Sequence, residues 1–211
     1  MKKVVFLLAI LFYTNCSSQE SSTYREMKAD KSMSEFFIDE ELEDLSMIVN
    51  FFESEICLDK SRPKVDCYYE YNKNTITSAV YGNKELELPI DYKLQQKLYS
   101  KIDSLFFKEI WIDKTYFDGF DLDTEVTEKS YDLNLFGKYI LFLKSLKKED
   151  VLFRDFYDLF YMSNEISFGV QSTVFYQFEK KEFKGIKRRL FFAIYYLTVN
   201  DKKHNYKSRK P

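Results

Sequence analysis

The chain has 211 residues, 45% hydrophobic and 31% charged, with 32 Lys and Arg against 34 Asp and Glu and a formal charge of −2. Five glycines leave little material for a phosphate-binding loop, and a lone histidine, His204 in the terminal segment, argues against Ser-His-Asp or Cys-His catalysis and His-rich zinc sites. The near-neutral total hides an asymmetry: from Lys180 onward eleven Lys and Arg stand against two acids, about +9, which leaves about −11 for the part before it.

The chain opens Met1-Lys2-Lys3, followed by the apolar run Val4 to Tyr13. Two lysines before a short apolar run form the layout of an export signal. The run is about ten residues long, whereas a stable spanning helix needs about 20, so it reads as a signal and not as a permanent anchor. Thr14-Asn15-Cys16-Ser17-Ser18 follows at once. With Leu11 and Phe12 closing the apolar run, Thr14 as a small residue and then Cys16, this segment resembles the signal and lipobox of bacterial lipoprotein precursors. Tyr13 and Asn15 stand where that pattern usually has Leu and a Gly, Ala or Ser. The resemblance covers only the first 16 or so residues. It implies a signal peptide over 1–15, removal of that signal, and acylation of the Cys16 thiol. It further implies a protein of the cell envelope, tied to a membrane through lipid on Cys16, the outer membrane foremost, and facing the periplasm or the surface.

Ser17 to about Lys31 shows no apolar periodicity and reads as part of a flexible tether over 16–31. A globular domain is expected over 32–200 and a basic, frayed tail over 201–211. Ser32 with Glu35 has the form of a capping box. Behind it Ile38, Leu42, Leu45, Val49, Phe52 and Ile56 recur at steps of four and three, one stripe of a helix, with Asp39, Glu40, Glu43, Asp44 and Glu53 off it.

Once Cys16 is assigned to lipid, the three cysteines reduce to the pair Cys57 and Cys67, in the oxidising compartment that an export signal implies. They bracket a polar loop containing Pro63, and a disulfide closing it is the preferred reading over two reduced thiols. Such a bond stabilises the fold by about 2–3 kcal/mol on the chain-entropy model. A metal site is disfavoured because no third and fourth ligand sits at suitable spacing.

Residues 67–88 carry short Tyr-rich and β-branched runs separated by Asn72-Lys73-Asn74 and Gly82-Asn83, and they read as a small antiparallel meander ended by Pro89. Asp91 is placed as the cap of a helix to about Ile110, with Leu94, Leu98, Ile102, Leu105 and Phe106 on one side. The run Asp118 to Glu125 is the densest acidic segment. Asp121, Asp123 and Glu125 would share a face if extended, offering a calcium site or half of a glycosidase-type carboxylate pair, against the simpler reading of a solvated loop. Residues 132–147 fit helix or strand. Asp150 to Ser163 reads as a helix with Leu152, Phe156, Leu159 and Phe160 inward. Gly169 breaks the chain, and 170–178 stays open between helix and strand.

A last helix, about Glu182 to Asn200, carries Ile186, Leu190, Ala193, Ile194 and Leu197. Its basic cluster, Lys180, Lys181, Lys184, Lys187, Arg188 and Arg189, reads as neutralised by the acidic first helix. The competing reading is contact with anionic lipid or an acidic partner. Aromatics make up 18% of the chain, with 21 Phe and 17 Tyr but one Trp. That points to an aromatic core rather than a carbohydrate-stacking surface, for which Trp111 would be the sole tryptophan.

These features predict one α+β domain, mostly helical with a small antiparallel β-meander, the alternative being all-α. They predict no catalytic constellation, no metal, no cofactor and no nucleic-acid partner. The function expected is a lipid-anchored, non-enzymatic binding or structural module, meeting an envelope protein or glycan. The alternative is an envelope hydrolase using a carboxylate pair on glycan or peptide.

Overall fold

A helical stretch that is apolar on every side belongs inside a molecule, and Leu190 to Leu197 of the helix Ile186–Lys207 (α9) is one. In the computed structural model, which describes residues 21–81, 88–114, 130–166, 175 and 178–207, every position from Leu190 to Asp201 on this helix is buried. Packed on it are α1 (Ser22–Ala29), α3 (Asp39–Ile56), α5 (Tyr92–Tyr99) and the strand β2 (Ser130–Leu133). Between these run α2 (Lys31–Phe36), α4 (Lys64–Tyr81), α6 (Ser104–Ile110), α7 (Lys138–Ser145) and α8 (Val151–Ser163). β2 pairs antiparallel with β1 (Trp111–Lys114), Trp111 opposite Leu133 and Lys114 opposite Ser130. The protein is thus a mostly helical α+β domain with a small antiparallel sheet, as the composition and periodicity predict.

The aromatic residues build the core. Phe191 meets Phe156 edge to face at 4.7 Å between centroids, and Phe175 meets Tyr195 at 4.8 Å. Tyr196 stands across Tyr71 at 4.9 Å and parallel to Phe52. Edge-to-face pairs of this kind each add about 0.5–1.5 kcal/mol beyond area burial. Trp111 is fully enclosed and its Nε1–H donates to Thr198 Oγ1 at 2.8 Å, which removes it from any carbohydrate-stacking surface.

Several elements depart from the sequence reading. The domain begins ten residues earlier than expected, because α1 occupies part of the proposed tether. Ser21 caps it by accepting from the Tyr24 N–H, and Thr23, Tyr24 and Met27 are buried against α3. Ser32 is not a cap: Asp30 caps α2, accepting from the Met33 N–H and the Ser32 hydroxyl. The chain then breaks at Phe37 before α3 starts, with Leu42, Leu45, Val49 and Phe52 inward as the stripe predicts.

The expected meander is a helix as far as Tyr81. Its buried positions, Cys67, Tyr68, Tyr71, Asn72, Thr75 and Ile76, fall at helical spacing, and that pattern outweighs the β-preference of Tyr and Thr. The supposed turn residue Asn72 is a buried joint, donating to the Phe175 carbonyl and accepting from the Tyr196 hydroxyl. Asp91 does cap α5, but a second cap, Asp103, divides the expected long helix in two, and Leu94 and Leu105 stand exposed. The segment 132–147 divides as well, its start in β2 and its middle in α7. The helix expected from Asp150 to Ser163 is present as α8, with Asp150 as its cap, and Asn164 closes it in the left-handed conformation. The expected basic tail is helical as far as Lys207, and within it Asp201 is fully buried. The signal, Cys16, the run 118–125, Gly169 and most of 170–178 lie outside the described residues.

Candidate functional site

Cys57 is the residue that ends α3 and Cys67 lies in the first turn of α4. They are joined as a disulfide with 5.4 Å between their Cα atoms, closing the expected loop. The loop projects Leu58 into solvent at 89% exposure, while Asp59 is held by the Ser61 hydroxyl and N–H and Arg62 pairs with Glu70 at 2.6 Å. The Ser61 hydrogen bonds pull the Asp59 carboxyl below the usual carboxylate range.

The basic cluster is taken up by acids of the domain itself. Lys180 pairs with Asp66 at 2.5 Å, Lys181 with Glu179 at 2.8 Å, and Lys187 with Asp30 at 3.5 Å. Arg188 holds Asp150 with two nitrogens, at 2.7 and 2.9 Å, and also meets Glu182. Arg189, buried, holds Glu53 at 2.6 Å and Glu26 beside it. Burial of the Asp30 carboxyl works to raise its pKa, but the Ser32 hydroxyl, the Met33 N–H and Lys187 together hold it below its ordinary value. A cleft of about 410 Å³ opens here between Glu149, Asp150, Lys181, Glu182, Lys187 and Arg188. Its two signs of charge answer each other, so it presents little net field to a ligand.

A second buried charge cluster ties the sheet to α9. Asp132, fully buried, accepts from the Leu133 N–H at 2.8 Å, from Lys202 at 3.1 Å and from Lys114 at 3.3 Å. Asp201 accepts from the Tyr131 N–H at 2.6 Å and from Gln96 at 3.2 Å. These carboxylates satisfy backbone and lysine donors, the arrangement of a structural lock. The histidine lies flat on Tyr92, with 3.8 Å between ring centroids.

A second concavity among the described residues differs from these. It is a groove of about 260 Å³ lined by Ile38, Glu40, Glu41, Asp44, Asp103, Leu105, Phe106 and Glu109. Asp103 reaches it as the cap of α6, bonding the Leu105 and Phe106 N–H groups. Leu105 and Glu109, four apart on α6, fall on one helical face. Glu109 Oε2 in turn accepts from the Lys138 N–H at 2.7 Å and so ties α6 to the start of α7. That junction is close: a Cβ on Gly137 would run into the Glu109 carbonyl. Phe136, just before it, is 82% exposed. Glu41 pairs with Lys138 at 2.5 Å, whereas among the described residues Asp44 accepts from the Asp103 N–H, at 3.1 Å. Burial pushes the Asp44 carboxyl above its ordinary pKa, the Asp103 hydrogen bond works against it, and the charges of Asp103, Glu43 and Glu41 push it further up.

The sequence reading did not single out this groove, although one signal was present. Ile38 occupies the cap position of α3, where Ser, Thr, Asp or Asn is the rule. Among the described residues, no group of three or more His, Cys, Asp or Glu is placed to hold a metal ion, and no helix is long and apolar enough to cross a membrane. No protein-family model, no curated protein and no solved structure matches the chain.

Proposed function

We propose that the chain is a lipid-anchored protein of the bacterial cell envelope that works by binding, not by catalysis. The observation that carries this reading is the run from Lys2 to Cys16, two lysines, a short apolar stretch and a cysteine. The disulfide supports it from the other side. A bonded Cys57–Cys67 pair fits an exported protein, and it leaves Cys16 as the third cysteine, outside the bond. The binding part of the reading is supported by the way the buried charges are used. Asp132, Asp201, Glu53 and Asp150 are each engaged by structural donors, and the charges of the groove beside Ile38 are answered by the described residues less fully than those of the cleft at Arg188. The domain is then held near a membrane by lipid, and its open surface meets a partner.

Intact-mass and peptide mass spectrometry of the membrane-fraction protein, with a Cys16→Ala control, tests the anchor. The expected result is a chain beginning at residue 16 and carrying acyl mass there, with the control lacking it and released to the soluble fraction. A wild-type chain with an unmodified Cys16 overturns the reading.

A further inference from the structure

Two features of the groove have separate explanations to be weighed. Acids at the start of α3 are favoured by the positive end of the helix dipole, which accounts for Asp39, Glu40 and Glu41. Asp103 is needed as a helix cap. Neither reason extends to the apolar residues. Ile38 is 60% exposed and Leu105 72% exposed, and both line the groove. Ile38 provides no side-chain cap to α3; its own N–H is held by Glu41 at 3.0 Å. The packing at this corner is done by its neighbours, Phe37 and Leu42, both buried, in the positions of a hydrophobic staple. Ile38 therefore serves neither the cap nor the core. Exposed apolar side chains gathered in a concavity with a polar rim mark an interaction surface, and positions that break a local rule without a structural return are where function concentrates.

The rim decides the partner's charge. Glu40, Glu41, Asp44, Asp103 and Glu109 surround the apolar floor. Lys138, paired with Glu41, is the cation that the described residues bring to them. An anionic lipid surface would be repelled, and a neutral apolar partner would leave the rim carboxylates with fewer water contacts and no compensating charge. We propose that this groove docks a cationic, amphipathic segment of another polypeptide, its apolar side chains on Ile38 and Leu105 and its Lys or Arg on the carboxylate rim. A helix laid in a groove with apolar anchors at i, i+3 or i+4 matches this pairing of chemistries. The proposal rests on the binding-module reading but not on Cys16, so a failed acyl-mass measurement leaves it standing and a failed docking experiment leaves the anchor standing.

The test is a titration of the purified full chain, in zwitterionic lipid nanodiscs where it carries lipid and in buffer where it does not, with a fluorescent synthetic peptide of lysine and leucine in helical spacing. A counterpart with glutamine in place of lysine, and empty nanodiscs, are the controls. The expected result is saturable binding about tenfold tighter than the glutamine counterpart, weakened about tenfold by Leu105→Ser and about threefold by Glu40→Gln. Leu58→Ser, on the disulfide loop, should leave it unchanged. All three positions are exposed, so their melting temperatures should stay near that of the wild type. Equal binding of both peptides, no binding, or indifference to Leu105→Ser overturns the proposal. So does preferential binding to phosphatidylglycerol vesicles, or self-association abolished by Leu105→Ser without peptide binding, which would assign the groove to a membrane or to a second copy.

Discussion

The two ends of α3 treat buried carboxylates in opposite ways. At the C-terminal end Glu53 is 5% exposed and is met by Arg189 at 2.6 Å, a cation brought from 136 residues further along the chain, with Lys64 against its other oxygen. At the N-terminal end Asp44 is 7% exposed and receives one neutral amide, the Asp103 N–H, with carboxylates as its charged neighbours. The helix is the same and the burial is nearly the same, so burial alone does not dictate how a charge is answered. The C-terminal end is matched with opposite charge within the fold. The N-terminal end is finished only in part, and an incomplete electrostatic environment beside exposed apolar side chains is what a binding surface looks like before its partner arrives.

Breaking the finished end should cost most. Arg189→Met removes the cation from Glu53 and Glu26 and is expected to destabilise the domain by about 3–5 kcal/mol, because the remaining buried carboxylate loses its compensation. Urea unfolding followed by far-ultraviolet circular dichroism reads this directly. A loss under about 1 kcal/mol would show that Lys64 alone suffices and would weaken the contrast between the ends. Next in size is the staple a few residues beyond Glu53. Replacing Cys57 and Cys67 together by Ala should cost about 2–3 kcal/mol, with the loss visible as an equal fall when the wild type is reduced. At the unfinished end the expected effects are smaller. Asp103→Ala takes the side-chain cap from α6, while keeping the backbone N–H that bonds Asp44, and should cost about 1 kcal/mol, read in the same urea titration.

The contrast also explains what could be read from the amino-acid sequence. Helices with a single buried stripe were legible: the Leu42, Leu45, Val49, Phe52 stripe, the Asp91 cap, the helix from Asp150 to Ser163 and the apolar length of α9 are all local signals. Residues 64–81 misled because Tyr and Thr favour strands in isolation, while the helical spacing of Cys67, Tyr68, Tyr71, Asn72 and Thr75 acquires meaning only when α9 and Phe175 supply the surface they pack against. The first helix, α1, was hidden for a similar reason. Its stripe is Thr23, Tyr24 and Met27, too short to show a period, and its burial depends on α3 and on Asn50, which accepts from Thr23 at 2.5 Å. The neutralising role of the basic cluster was legible in outline from the opposed charges of the two halves, but its pairings were not. Lys180–Asp66 and Arg189–Glu26 join residues more than a hundred positions apart, and no periodicity encodes such a distance. The groove was the least legible feature, since its walls come from two segments about sixty residues apart and Ile38 looks like the first member of a buried stripe.

Asp44 offers the finest probe of the unfinished end, and the sign of its effect is opposite to that of a paired carboxylate. Burial raises its pKa in the folded state above the value of an unfolded chain, which is about 3.9. From about pH 4 upward, as far as that raised value, the folded protein binds a proton that the unfolded chain has released. By linkage, stability contributed at this site is therefore greatest below about pH 4, falls as pH rises through the window, and levels off above it. Asp44→Asn keeps an oxygen to accept the Asp103 N–H and removes the ionisation. The variant should match the wild type near pH 3 and melt higher at pH 7, with the gap opening between those limits. Thermal melts of both proteins across that range provide the measurement. A gap that does not change with pH would mean that Asp44 titrates as an ordinary exposed acid, and the two ends of α3 would then differ in geometry but not in electrostatics. If a cationic segment occupies the groove, its charge favours the ionised carboxylate and closes the gap. The same melts repeated with the lysine and leucine peptide should therefore raise the wild type more than Asp44→Asn at pH 7.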